Sequence, residues 1–531
     1  MQSNMSVNGM VVTPHHLASS SGLKILRKGG NAIEAMVSAA ATISVVYPHM
    51  NGLGGDGFWI IMFPKEKPIA IDASGFSGSL ANIKYFNNKK TIPYRGPQSA
   101  LTIAGTVSGW EKALNLIKEK KILQSFSIYE LLNDAINYAS NGFPITLSQS
   151  IMTESKKLEL INQPGFSKIF LKDNKNIYKP GDLFFQPELA KTLINLSKDG
   201  LDSFYRGETA CKIAKGMLKL NIPITLNDLM SYRAQSHVPL YLSHSKGKIW
   251  NTMPPTQGFV ALVILGIIDN LSKINYKKES HNIHYIVEAT KIAFFMRDKY
   301  ITDPIYMNKN LQSLLSKDYL KSLFDKINKH KATDFLYNSF FKNDTVWMGA
   351  IDKNGIAVSF IQSIYHEFGS GVVIPKTGIL WNNRGSSFVL EPKKILTLFP
   401  KKKPFHTLCP SLAILKNGKL MVYGSMGGDG QPQTQATIFH RYVTQNIPLQ
   451  DAISAPRWLF GRNWGKNCNT LKLENRFFIN ILKDLKKMGH NIEILSQYSE
   501  KVGHAGIIVR HSNGILEGAY DPRSNGSACG F

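Results

Sequence analysis

The sequence predicts an α+β fold, a layered body in which helices pack outside an antiparallel sheet. Three observations carry that expectation. One hairpin design recurs three times in the C-terminal third, helical periodicity dominates the chain before it, and no Pro/Gly/Ser-rich linker divides the 531 residues into separate beads. A chain of this length exceeds one simple domain, and its 43% hydrophobic content leaves ample core.

From about residue 14 to 150 helices alternate with glycine punctuation. "GLKILRKGG" stops at Gly29-Gly30. "NAIEAMVSAAATISVV" restarts with Asn31 as N-cap and Glu34 three residues on, a capping-box arrangement. This helix is apolar nearly all round and should be buried. "SIYELLNDAINYASNG" and, in the mainly helical region from about 150 to 340, "IHYIVEATKIAFFMRDKYI" carry apolar residues at three-and-four spacing. The lysine- and phenylalanine-rich "DKINKHKATDFLYNSFFKND" that closes this region reads as a mobile or processed segment.

From about residue 345 the pattern changes to strands. "MGAIDKNGIAVSFI", "LAILKNGKLMVYG" and "GIIVRHSNGILEGA" each place Asn-Gly between β-rich segments, a hairpin signal because both residues tolerate the positive φ of a type I′ turn.

Composition excludes several classes. The net charge of +26 would suit nucleic acid, but the lysines are scattered, and the longest basic runs, Lys401 to Lys403 and the "NNKK" ending at Lys90, lack interleaved aromatics. A proteome-wide drift toward Asn, Ile and Lys accounts for the charge, so no nucleic acid partner is expected. Four cysteines (Cys211, Cys409, Cys468, Cys529) without C-x-x-C or His/Cys ligand spacing point to reduced, mostly buried thiols rather than a zinc site or a disulfide framework. The longest apolar stretch, Ala32 to Tyr47, contains Glu34 and is too short to span a bilayer, and the N-terminus lacks the layout of a secretion signal. A cytoplasmic protein without a membrane partner is expected.

Two features carry chemistry. If the first hairpin turns about Asn354, residues whose numbers sum to 708 oppose one another, within one residue of register, and Thr345 at the strand's start faces Ser363. Thr and Ser are ordinary strand residues, so the pairing says little alone. Gly-Gly-Asp-Gly also occurs twice, in "NGLGGDGFW" (Asn51 to Trp59) and "GSMGGDGQP" (Gly424 to Pro432). In the first, Gly52, Gly54 and Gly57 match G-x-G-x-x-G, but the motif follows a long helix instead of a strand, so the phosphate-binding context is missing. The second follows the strand "KLMVYG" and offers adjacent backbone N–H groups at Gly427 and Gly428, the makings of an oxyanion hole.

The ordered series "GGNAIEA", "PHMNGLGGDGF", "AGTVSGW", "FYRG", "PPTQG", "EATKIAFFMRD", "DTVWMGAIDKNGIAVS", "FGSGVV", "TGILWNN", "GSMGGDG" and "DPRSNG" runs through nearly the whole chain. It resembles the γ-glutamyltransferase family of N-terminal nucleophile hydrolases, and most closely an amidohydrolase branch of that family. The resemblance implies a four-layer αββα sandwich made as an inactive precursor. Cleavage between Asp344 and Thr345 would give a large subunit, 1–344, and a small subunit, 345–531, that form a heterodimer able to pair into a dimer of heterodimers. Thr345 would attack first the Asp344 carbonyl and later the substrate, and the α-amine freed by cleavage, with a pKa of about 8, would serve as its base. Ser363 would orient the nucleophile and Gly427 and Gly428 would hold the oxyanion. No metal and no organic cofactor is implied.

Departures from the family pattern bear on the substrate. Where γ-glutamyl enzymes carry a carboxylate-gripping arginine this chain has Ser74, and where they carry an amine-binding aspartate after the Asn382-Asn383 pair it has Ser387. His406 and Thr407 replace two carboxylate-binding serines, Tyr365 replaces an asparagine, and the short segment from Phe388 to Lys403 implies that the family's lid is missing. Losing both charged anchors would leave a glutamyl head unpaired at a cost of a few kcal/mol for each group. Arg384, beside Asn382, supplies a new cation that fits either a carboxylate grip or a structural salt bridge. His366 and His406 fit either an amide-orienting role or a polar network. The expectation is hydrolysis of a small anionic amide such as oxamate, with a γ-glutamyl hydrolase or transferase as the alternative and a catalytically silent binding protein as the second.

Overall fold

Two antiparallel sheets lie face to face, and helices cover each outer side. The structure is a computed structural model that describes residues 2–87, 89–273, 278–335, 344–461 and 469–531. In chain order the elements that build these layers are β1 (Asn4–Ser6), β2 (Gly9–Thr13), α1 (His16–Arg27), α2 (Ala32–Val46), β3 (Asp56–Met62), β4 (Ile69–Ala73), α3 (Thr106–Glu119), β5 (Gln235–His237), β6 (Leu240–His244), β7 (Gly247–Asn251), α4 (Gly258–Ile268) and α5 (Glu279–Tyr300). They continue with β8 (Asp344–Asp352), β9 (Ala357–Tyr365), β10 (Ser411–Leu415), β11 (Leu420–Ser425), α6 (Gly430–Phe439), β12 (Ala505–Arg510), β13 (Leu516–Tyr520) and β14 (Ser527–Gly530).

Among the described residues one sheet runs β14-β2-β8-β9-β3-β4-β5 and the other β1-β13-β12-β11-β10-β7-β6. Met10, Val12, Phe58, Ile60, Trp347, Ile361, Val422 and Ile508 fill the space between them. Helices α1, α2 and α3 pack on the first sheet, and α4, α5 and α6 lie on the side of the second. The result is the expected αββα sandwich.

The capping box at Asn31 is present, with Glu34 Oε2 accepting from the Asn31 N–H at 3.0 Å and Asn31 Oδ1 from the Glu34 N–H at 3.1 Å. All of α2 is buried, as its apolar circumference requires.

The sequence reading missed strands β3 and β4 in the region read as helical and β5 to β7 in the middle region, and gave no strand for β2 ahead of them. β3 and β4 are buried on nearly all of both faces and β5 spans three residues, so they lack clean period-two alternation, whereas β6 alternates. The three Asn-Gly hairpins form, but not with type I′ turns. Gly355, Gly418 and Gly514 have φ of 89°, 81° and 90°, while the preceding asparagines are not in the left-handed region. A Gly418 N–H to Leu415 C=O bond of 3.0 Å and a Gly514 N–H to His511 C=O bond of 2.9 Å mark type I turns closed by a left-handed glycine, the longer-loop solution for a hairpin.

Cys409 is buried, Cys529 half-buried and Cys211 exposed, so burial of the thiols is less general than expected; Cys468 lies outside the described residues. Part of the segment expected to be mobile or processed, 336–343, also lies outside them. Its described part is tied down by the Ala332 N–H, which donates to Met488 C=O at 2.7 Å. No helix of the described residues is long and apolar enough to cross a membrane.

Candidate active site

Strands β8 and β9 pair in the register that sums to 708, from Val346 opposite Gln362 to Ile351 opposite Ala357, and then slip by one so that Asp344 opposes Tyr365. Thr345 occupies the slip. It is buried, and its Oγ1 donates to Ser363 Oγ at 3.3 Å. Ser363 Oγ also accepts the Tyr365 N–H at 2.9 Å. Tyr365 has a φ of 84°, a left-handed conformation that costs a bulky residue about 1–3 kcal/mol and is characteristic of sites whose surroundings over-determine them. Its ring lies 3.9 Å from the guanidinium carbon of Arg384.

The turn that carries Arg384 is held by its neighbours. Asn382 Oδ1 accepts the Arg384 N–H and the Thr102 hydroxyl, each at 2.9 Å, and Asn382 Nδ2 donates to Gly54 C=O at 2.9 Å. Asn383 Oδ1 accepts the His366 N–H at 3.0 Å, and Ser387 Oγ donates to Arg384 C=O at 2.9 Å. The Asn382 and Ser387 side chains are therefore engaged with the loop itself. The His366 ring packs on Tyr365 and Tyr94, with centroids 4.5 and 5.4 Å apart.

Arg384 is fully buried, and among the described residues none of Nε, Nη1 and Nη2 has a hydrogen-bond partner. The nearest anion, Asp56 Oδ2, is 4.0 Å from Nε. His406 lies beside them, its Nε2 3.9 Å from Asp56 Oδ2 and both ring nitrogens without a partner among the described residues. Burial, and secondarily the charges of Arg384 and Lys403, hold its imidazole well below the ordinary histidine range and therefore neutral. Thr407 Oγ1 is likewise buried and without a partner there.

The second Gly-Gly-Asp-Gly turns from β11 into α6. Gly427 and Gly428 have φ of 111° and 52°, which a side chain would strain, and no hydrogen bond among the described residues engages either N–H. Gln257 fixes the peptide from behind, its Nε2 donating to Gly428 C=O at 2.7 Å and to Thr407 C=O at 3.0 Å. Asp429 accepts from Arg297 Nη1 at 2.9 Å, a buried and hydrogen-bonded pair.

The first Gly-Gly-Asp-Gly works differently. A Cβ on Gly55 would lie 2.2 Å from the Ser363 carbonyl oxygen, and one on Gly54 2.2 Å from that of Leu380. The glycines are there for close backbone approach, and the approach delivers Asp56 next to Ser363, its partner in the β3–β9 register. Asp56 Oδ1 accepts the Gly75 N–H at 3.0 Å while Oδ2 has no hydrogen bond among the described residues. Burial pushes its carboxyl up to about 7, against the pull of Arg384. The sequence reading missed Asp56, because it weighed the repeated motif by its glycines; the recurrence of aspartate in both copies was the available signal. Ser74, at the place of the family's arginine, gives its N–H and Oγ to Asp72 Oδ1 at 2.8 and 2.5 Å, and Lys403 Nζ donates to Asp72 Oδ2 at 2.6 Å.

Away from this site His284, Glu288 and His490 come within ligating distance of one another. His284 Nδ1 lies 2.8 Å from His490 Nε2 and His284 Nε2 is 2.8 Å from Asn328 C=O, while Glu288 accepts from Lys291 Nζ at 2.7 Å. The donors satisfy each other, and the lysine already neutralises the carboxylate.

The chain is similar to known proteins along nearly its whole length. Residues 18–531 match the model of the gamma-glutamyltranspeptidase family. The chain is 55% identical over 529 residues to the oxamate amidohydrolase proenzyme of Klebsiella pneumoniae, covering 100% of this chain and 99% of that protein. It is 38% identical over 535 residues to the glutathione hydrolase-like YwrD proenzyme of Bacillus subtilis, covering 99% and 100%. The crystal structure of cephalosporin acylase from Bacillus halodurans superposes with a TM-score of 0.90 at 29% identity, covering 100% of this chain and 97% of that one.

Proposed function

Because the chain belongs to the gamma-glutamyltranspeptidase family, we propose that it is a self-cleaving amidohydrolase that converts oxamate to oxalate and ammonia through an acyl-enzyme on Thr345. Arg384 is the observation that carries the substrate reading. A buried guanidinium without a hydrogen-bonded counter-ion, one residue layer from Ser363 through Tyr365 and Asp56, is a standing site for a small carboxylate. The likeness to an oxamate amidohydrolase proenzyme supports the same substrate.

In the precursor the Thr345 hydroxyl attacks the Asp344 carbonyl carbon, the peptide C–N bond breaks, and the ester formed is hydrolysed, leaving an Asp344 carboxylate and a free Thr345 α-amine. The subunits 1–344 and 345–531 remain together as a heterodimer, because β8 lies between β2 and β9 in one sheet. In turnover the α-amine takes the Thr345 proton as Oγ1 adds to the amide carbon, with Ser363 orienting the hydroxyl and the Gly427 and Gly428 N–H groups receiving the oxyanion. The same proton passes to the departing nitrogen, ammonia leaves, and water attacks the ester to release oxalate. Arg384 grips the substrate carboxylate, with His406 and Thr407 beside it; Tyr365 supports the guanidinium face, His366 and Asn382 hold the loop, and Ser387 braces its turn. Free thiols and the lack of a disulfide among the described cysteines support a cytoplasmic setting.

The second reading, glutathione hydrolysis, has one observation in its favour: Asp72 and Lys403 beside Ser74 offer both signs of charge for a glutamyl head. They are bonded to each other, which disfavours it. Ammonia release from oxamate against hydrolysis of glutathione by the processed protein is the deciding experiment.

A further inference from the structure

We propose that Asp56 determines which anions the site accepts: it binds substrate as the carboxylic acid, donating from Oδ2 to the carboxylate held on Arg384, so that each anion bound brings one proton from solvent. This rests on the amidohydrolase reading for the identity of the substrate.

Two buried Asp-Arg pairs near the Gly-Gly-Asp-Gly turns make the case by contrast. Asp429 and Arg297 are hydrogen-bonded to each other at 2.9 Å, and Arg297 Nε also donates to Asp298 Oδ1 at 2.7 Å. Asp56 and Arg384 are equally buried but stand at 4.0 Å, beyond hydrogen-bond range, with Oδ2 and the whole guanidinium unengaged among the described residues. At this distance each group keeps polar atoms that a third polar group could engage. A substrate carboxylate that engages them brings together one cation and two carboxylates, and in a buried site such a pair of acids shares a proton.

Burial, the largest influence, and the charge of Asp72 favour the protonated form, against Arg384 and the Gly75 and Gly105 N–H groups. His406 is held neutral by burial, so it cannot offset the second negative charge. Lys403 is committed to Asp72, and Asp72 itself adds repulsion that favours the protonated form. Tyr205 and Tyr232, pushed up by burial, stay protonated. Arg384 keeps its charge, lowered by burial only to about 10. The Gly75 N–H holds Oδ1, which leaves Oδ2 to carry the proton and point it at the ligand. After cleavage the Thr345 α-amine is the remaining nearby titrating group, and the experiment must separate it from Asp56.

The probe is ¹³C-labelled oxalate, the product of the proposed reaction, which the enzyme does not consume. Calorimetry of the processed wild type in buffers of different ionisation enthalpy should register close to one proton taken up per oxalate at about pH 8 and none at about pH 5.5, with affinity falling about tenfold per pH unit above 7. An infrared difference spectrum should show a protein carboxylic acid appearing on binding, separated from the labelled ligand. Asp56→Asn, whose amide donates from the same place, should bind oxalate without proton uptake and with a flat pH profile. Uptake through the α-amine would survive that substitution and would overturn the proposal. So would wild-type binding without uptake and without the carboxylic acid band, a result that needs no variant to fold. Oxamate hydrolysis together with proton-free oxalate binding removes the role of Asp56 alone. Proton-coupled oxalate binding without oxamate hydrolysis removes the substrate reading alone. An absence of oxalate binding overturns the role of Asp56 and leaves ammonia release to judge the other.

Discussion

Thr345 Oγ1 lies 3.3 Å from Ser363 Oγ at the point where the β8–β9 register slips by one residue. The slip lets two hydroxyls meet at the end of the ladder, close to the left-handed Tyr365. One irregularity thus sets the neighbour of Thr345 and aims the Tyr365 ring under Arg384.

Incubated wild-type protein should split between Asp344 and Thr345, and Thr345→Ala should remain one chain. Intact-mass spectrometry of both proteins reads the result directly. An active wild type that never splits would remove the N-terminal nucleophile mechanism.

Ser363→Ala should slow both self-cleavage and turnover, since one oriented hydrogen bond serves the same hydroxyl in both reactions. Gln257→Met should act mainly on turnover. It releases Gly428 C=O from its side-chain donor, so the adjacent N–H groups lose their fixed aim, and kcat should fall by roughly 10- to 100-fold with KM little changed. Single-turnover and steady-state kinetics of the processed variants separate the two effects.

Arg384→Lys should lose about 10²-fold or more in kcat/KM for oxamate, because a point charge cannot reproduce a two-pronged grip on a planar carboxylate. Wild type should prefer oxamate to glutathione by at least about 10²-fold, the equivalent of one unmade charged contact. Equal rates on the two substrates at equal concentration would restore the glutathione reading.

Asp56 also leaves a mark on stability. Its carboxyl is raised to about 7 in the folded chain, so its contribution to stability is fully present below the unfolded carboxylate value and is lost as pH rises toward 7. The loss should reach about a few kcal/mol, because the buried carboxylate must either stay protonated against the solvent pH or ionise away from water without a hydrogen-bonded cation. The denaturant midpoint of the wild type should therefore fall between pH 5 and pH 8, and Asp56→Asn should remove most of the fall. Equal falls in the two proteins would place the titration elsewhere.

The sequence by itself determined the three Asn-Gly hairpins, the capped and buried helix at Ala32, and the order of motifs, because each depends on residues close together in the chain. It also placed Thr345 opposite Ser363, since a hairpin's register follows from its turn. Local pattern did not reach strands β2, β3 and β4, whose buried faces erase alternation, nor the short β5, nor the choice of a type I turn over type I′, which the twist and loop length of the finished sheet decide. Only the tertiary structure brought Asp56, Arg384 and His406 together, from positions separated by more than 300 residues between the first and the second. Neither composition nor spacing marks such a trio, because what makes it a site is the shared burial and the missing hydrogen bonds. Those are properties of the packed interior, where a charge left unpaired is costly enough to signal the ligand it awaits.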